Sequence, residues 1–123
     1  MTDMEGSLKE AMEIDGAIGV ALVDYTSGMA LGTLGSTKDF DLTVAAAGNT
    51  DVVRAKLRTI EMLKLKDQIE DILITLGGQY HIIRPLTSRN TQGLFLYLVL
   101  IKSRANLALA RHRLKTIEEG LQM

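Results

Sequence analysis

Cysteine is absent from this chain of 123 residues, which removes disulfides, thiolate chemistry and cysteine-ligated zinc, and accords with a reducing interior. A surplus of one charge is absent too: 14 Lys and Arg face 15 Asp and Glu, for a formal net charge of -1. Such a balance offers no general attraction to phosphate backbones or anionic membranes, so no nucleic-acid partner is expected. Long apolar runs are also missing. The longest, from Leu94 to Ile101, falls far short of the ~20 residues a helix needs to cross a bilayer, and no membrane insertion is expected. The opening Met1-Thr2-Asp3-Met4-Glu5 is acidic where a secretory signal is basic and then apolar, which makes the cytoplasm the expected location. Neither a low-complexity linker nor an internal repeat interrupts the chain. Residues 1–123 suit one domain, whose single core buries roughly two-thirds of the surface exposed by the unfolded chain.

What is present centres on residues 39–66, the longest helical pattern. Advancing by 100° per residue, Leu42, Ala46, Val53, Leu57 and Ile60 gather on one side, the stripe of a helix lying on a core. A second set, Gly48, Val52, Ala55, Thr59 and Met62, recurs at spacings of four, three, four and three, the rhythm of a helix-to-helix seam. Its side chains are mostly small, which lets two backbones approach closely. Either another helix of the same chain or the same helix of a second copy is expected to cover it. Gly48-Asn49-Thr50-Asp51 carries stop and restart signals, but the apolar stripe holds its phase across them, and one continuous helix is predicted.

Elements alternate on both sides of this helix. Residues 2–14 form a short helix in which Thr2 and Glu5 are spaced as a capping box. Residues 17–24 are apolar on both faces and read as a covered strand, with the low relief of Gly19 and Ala21 admitting a close-lying helix. A turn at Tyr25-Thr26-Ser27-Gly28 leads to a second strand at 29–35, which Gly32 and Gly35 assign to a sheet edge. Beyond the long helix, residues 69–76 alternate as a strand, Gly77-Gly78 makes a hairpin loop, and residues 79–84 return until Pro85 offsets the hydrogen bonding. Residues 94–101 are apolar or amphipathic throughout and belong at the sheet centre. A final helix follows Ser103, with Leu107, Ala110, Leu114, Ile117 and Leu121 inward and Arg111, Arg113 and Lys115 outward. The order helix-strand-strand-helix-strand-strand-strand-helix makes a three-layer α/β/α domain on a five-stranded antiparallel sheet.

This order, with Ile14-Asp15-Gly16-Ala17-Ile18, with Val23-Asp24 before Gly28, and with Ala105-Asn106-Leu107-Ala108-Leu109-Ala110-Arg111 opening the last helix, resembles the Roadblock family, also called the dynein light chain Roadblock type. The resemblance covers nearly the whole chain, and its motifs are apolar patterns more than chemical signatures. Ala108 stands where the family usually has Gly, so an added methyl is expected to bear on how closely the helix meets the sheet. Similarity to bacterial Roadblock proteins implies a profilin-like fold and a homodimer that joins two sheets edge to edge and stacks the paired long helices. It also implies binding of a small Ras-like GTPase. On that basis the seam, with Ile72 and Ile74 of the edge strand, is the expected dimer interface, and Thr50, Arg54, Arg58 and Glu61 form the expected partner face. A dimerisation scaffold that holds larger signalling proteins is the alternative, followed by a small-ligand sensor with a pocket between sheet and helices.

Catalytic chemistry is not legible in the residues. His81 and His112 lie on different elements without a carboxylate or second His at ligand spacing, so no metal is expected. His81 reads as a partly buried, hydrogen-bonded strand histidine. Ser27 sits in a turn with no His near it in sequence, and Gly28, Gly32 and Gly35 do not have the spacing that cradles a phosphate. No catalytic residue, no cofactor and no enzymatic activity are predicted.

Overall fold

The computed structural model describes residues 2–35 and 41–123. Its centre is Leu94–Ile101 (β5), buried along both faces because it has a strand on each side and helices above and below. Ala17–Asp24 (β1) pairs antiparallel with β5, setting Leu22 opposite Leu96, and Gln79–Pro85 (β4) pairs with its other edge, setting Ile82 opposite Leu98. Met29–Gly35 (β2) lies outside β1, and Ile72–Thr75 (β3) outside β4, giving the order β2-β1-β5-β4-β3. All four pairings are antiparallel. The central place of β5 and the edge place of β2 follow the sequence pattern, and the edge place of β3 is the one that the resemblance implied.

Strand side chains alternate between two helical layers. Val20, Leu22, Ile82, Leu96 and Leu98 meet Met4–Met12 (α1) and Leu107–Gly120 (α3), with Leu8, Ala11, Leu114 and Ile117 as the helical contribution. Ala21, Val23, Ile83, Phe95, Tyr97 and Val99 meet Leu42–Met62 (α2). A side chain built at Gly19 would come within 3.4 Å of Leu42, so the low relief of β1 does bring α2 close to the sheet. The two helices of the first layer run antiparallel. Thr2 bonds to Gly120 and Gln122 near the end of α3, while Gly16 sits against Ala105 near its start.

Several boundaries differ from those predicted. The first helix is capped by Asp3, whose carboxylate accepts the N–H of Gly6 at 2.8 Å. Thr2 is drawn into its bridge with Leu121 instead, so the Thr2–Glu5 capping box does not form. Helix α2 is continuous through Gly48, but its cap is Asp41, which accepts the N–H groups of Thr43 and Val44. Asp39, the expected start, lies outside the described residues. The helix stops at Met62, and Lys64 follows with φ 55°, a left-handed turn that an α-helix cannot continue. β3 is shorter than its apolar run, because Ile69 and Asp71 remain in the exit segment. The expected Gly77-Gly78 hairpin closes with the Leu76 N–H donating to Gln79 O at 2.8 Å. Ala108 is exposed, so its methyl group does not stand between α3 and the sheet.

Candidate functional site

Two helices cover one face of the sheet, whereas α2 covers the other alone. Among the described residues no helix lies over its outer side, so a same-chain cover for the small-residue seam is ruled out there. Leu42, Ala46, Thr50 and Val53 are buried toward the sheet. Opposite them runs an open crest. Gly48, Ala55 and Thr59 are exposed, Val52 is half-buried, and Met62 is 74% exposed. Val44, one turn before Gly48, is 67% exposed and extends the same stripe. A side chain added at Gly48 would meet nothing within 4 Å. The Thr59 hydroxyl donates to Ala55 O at 2.9 Å, so the most polar group of the crest is already satisfied by its own helix and can be covered at little cost.

The expected partner face needs correction at one of its four residues, Thr50. Thr50 is buried, 2% exposed, and its hydroxyl donates to Ala46 O at 2.7 Å. It points at the sheet because it falls in phase with Leu42, Ala46 and Val53, a placement that its polarity concealed. Arg54 is exposed, but its Nε donates to Tyr25 O at 2.7 Å and its Nη2 to Thr26 O at 2.5 Å. This guanidinium is a strap from α2 to the β1–β2 turn. The turn is further fixed by Asp24, whose carboxylate accepts the Thr26 hydroxyl at 2.6 Å and N–H at 2.8 Å. Those bonds, the hydroxyl foremost, hold the Asp24 carboxyl below its ordinary pKa. Gly28 completes the turn at φ +82°. Arg58 and Glu61 remain exposed and outside the described ion pairs.

Ile72 and Ile74 lie on the α2 side of β3, half-buried against the core. The outer backbone edge of β3 faces no other described strand. Leu73, turned the other way, is 38% exposed.

Between α2 and the sheet lies a polar chain that ties the two together. The Tyr97 hydroxyl is 2.9 Å from His81 Nδ1, His81 Nε2 is 2.9 Å from Gln79 Oε1, and Asn49 hydrogen-bonds Tyr97 from the helix. Burial pushes the Tyr97 phenol up to about 12, partly offset by the Asn49 bond, and burial lowers the His81 pKa. A neutral imidazole that accepts at Nδ1 and donates at Nε2 satisfies every link. His81 is therefore the hydrogen-bonded strand histidine expected from its pattern.

A pocket of about 300 Å³ opens at one end of the sheet, beside the last turns of α2. Sequence reasoning missed it, since its walls come from Tyr25, Leu57, Asp67, Pro85 and Gln92, which no spacing rule connects. Among the described residues no cluster of three His, Asp or Glu is placed to hold a metal ion, and no helix is long and apolar enough to cross a membrane.

No protein-family model matches the sequence, and no curated protein sequence matches it. Solved structures do. A Roadblock/LC7 domain from Streptomyces avermitilis superposes with a TM-score of 0.79 at 10% identity, covering 97% of this chain and 94% of that one. MglB from Myxococcus xanthus gives 0.73 at 20% identity, over 92% and 83%. The gliding protein MglB from Thermus thermophilus gives 0.68 at 18% identity, over 93% and 87%. At these identities the likeness is one of fold: the chain has the Roadblock-type α/β architecture.

Proposed function

We propose that this Roadblock-fold chain is a homodimeric interaction module that binds a small Ras-like GTPase and regulates or scaffolds it, without hydrolytic chemistry of its own. The observation that supports dimerisation is the open crest of α2 together with the edge of β3, which pairs with no other strand among the described residues. An apolar stripe and a free strand edge are each liabilities in a lone domain. A two-fold contact covers both at once, because an isologous interface matches a surface with itself. Of the two sheet edges, β2 meets β1 through a register shift at Leu22/Val23, whereas β3 keeps unbroken register with β4. The even edge is the better template for pairing. Gly48, Val52, Ala55, Thr59 and Met62, with Ile72 and Ile74, make up the proposed interface, and Val44 extends it.

The GTPase reading rests on the resemblance to bacterial Roadblock proteins. Its contact surface on this chain is the flank of α2 that carries Arg58 and Glu61. Capture of a small GTPase from lysates loaded with a GTP analogue or with GDP tests the class. Recovery that depends on the nucleotide supports the proposal, and Arg58→Glu with Glu61→Arg is expected to weaken it at least several-fold while the fold remains intact. Recovery of no GTPase under either nucleotide refutes it.

A further inference from the structure

We propose that the pocket at the end of the sheet binds a compact organic cation, an ammonium group carried on an apolar body. Leu57 and Ile60 of α2, Ile69 of the exit segment and Pro85 of β4 supply apolar walls. Tyr25 and Asp67 belong to the same lining, and among the described residues no Lys or Arg does. An aromatic ring and a carboxylate without an opposing cation favour a positive ligand, the ring through its negative face and the carboxylate through direct pairing. The Asp67 carboxylate is oriented locally, since its Oδ1 accepts the N–H of Gln68 at 2.9 Å. Arg54 does not intrude. Its guanidinium is held by the Tyr25 and Thr26 carbonyls.

Size narrows the ligand further. At about 300 Å³ the hollow stands at the lower end of the roughly 300–1,000 Å³ usual for small-molecule sites. It has room for an aromatic or branched aliphatic amine. Five separate stretches of the chain converge on it, and Asp67 and Gln68 lie in the exposed stretch after α2, so a ligand would reach the pocket from solvent. This inference depends on neither the dimer nor the GTPase.

Methyl-detected NMR of the full chain, titrated with phenethylammonium, 2-phenylethanol and 3-phenylpropionate, tests it. Phenethylammonium is expected to shift the Leu57, Ile60 and Ile69 methyl signals saturably, about three- to five-fold more tightly than the neutral alcohol, the upper range of what one exposed ion pair supplies. The anion is expected to give no saturable shift. Asp67→Asn, an exposed substitution that retains the acceptor for Gln68, is expected to erase the advantage of the cation. Equal affinity for cation and alcohol, an advantage that survives Asp67→Asn, shifts that map elsewhere, or no saturable shift at all would each overturn the proposal.

Discussion

Ala55→Glu tests the dimer with little damage to the protomer. Ala55 is exposed in the single chain, so the new carboxylate stays in water there and the helix loses only a few tenths of a kcal/mol, by propensity. Once a second copy covers the crest, the same carboxylate is desolvated, at an effective cost of several kcal/mol per ion. Two-fold symmetry introduces the charge twice. At about 3 kcal/mol per copy, a low figure that allows for Arg58 three residues on, the dimer loses about 6 kcal/mol. That is about four powers of ten in dissociation constant, so a micromolar dimer would not form at workable concentrations. Light scattering across a dilution series reads the mass, and circular dichroism checks that helix content is unchanged. The expected result is a folded monomer or an aggregate for Ala55→Glu and an undisturbed dimer for Glu61→Ala. A dimer that tolerates Ala55→Glu, or a wild-type chain that is monomeric at micromolar concentration, refutes the reasoning.

Other outcomes follow from the internal contacts. Arg54→Ala removes two charge-assisted bonds to the β1–β2 turn, and because the site is exposed the expected loss is about 1 kcal/mol, read as a lower Tm and faster hydrogen exchange around Gly28. Glu118 is 6% exposed at its side chain, pairs with Arg84 at 2.7 Å and accepts the Thr87 N–H at 2.8 Å. Glu118→Ala is therefore expected to cost about 2–3 kcal/mol, because it leaves the half-buried Arg84 guanidinium with only the Glu70 carbonyl at 3.3 Å, and thermal unfolding of Arg84→Met with Glu118→Leu should recover most of it. Burial lowers the folded pKa of His81, so the unfolded chain binds the proton first. Its contribution to stability is whole above the ordinary histidine value near 6.5 and is lost as pH falls from there toward the folded value. Denaturant unfolding of His81→Gln should lack that part of the slope.

The sheet was legible because burial writes itself into strand composition. Leu94–Ile101 carries no polar group but the Tyr97 hydroxyl, and such a strand belongs between two helical layers. Gly32 and Gly35 marked an edge for the opposite reason, since they contribute no side chain to pack. Thr50 was misread because its polarity outweighed its phase, although a threonine that returns its hydroxyl to the carbonyl four residues back behaves as a small apolar residue. The bonds of Arg54 were illegible for another reason. Its partners are backbone carbonyls 28 and 29 residues earlier, and a carbonyl has no sequence identity to read. The pocket was invisible for a related reason, as it exists only where the end of α2, its exit segment and the ends of two strands come together.

The circumference of α2 limits how a protein partner can engage it. One side is spent on the sheet, Arg54 on the turn, Asn49 on Tyr97, and the crest on the proposed second copy. What remains near Arg58 and Glu61 is a strip of a few residues, whereas a stable protein contact buries roughly 800 Å² on each partner. A GTPase held by this helix must therefore draw on both copies across the two-fold axis, or on the exposed Leu63 and Leu65 of the exit segment. The two routes separate cleanly. If the partner spans both copies, Ala55→Glu abolishes capture along with the dimer. If the exit segment supplies the area, the monomeric variant still captures GTPase, and Leu63→Ser with Leu65→Ser is the change that abolishes it.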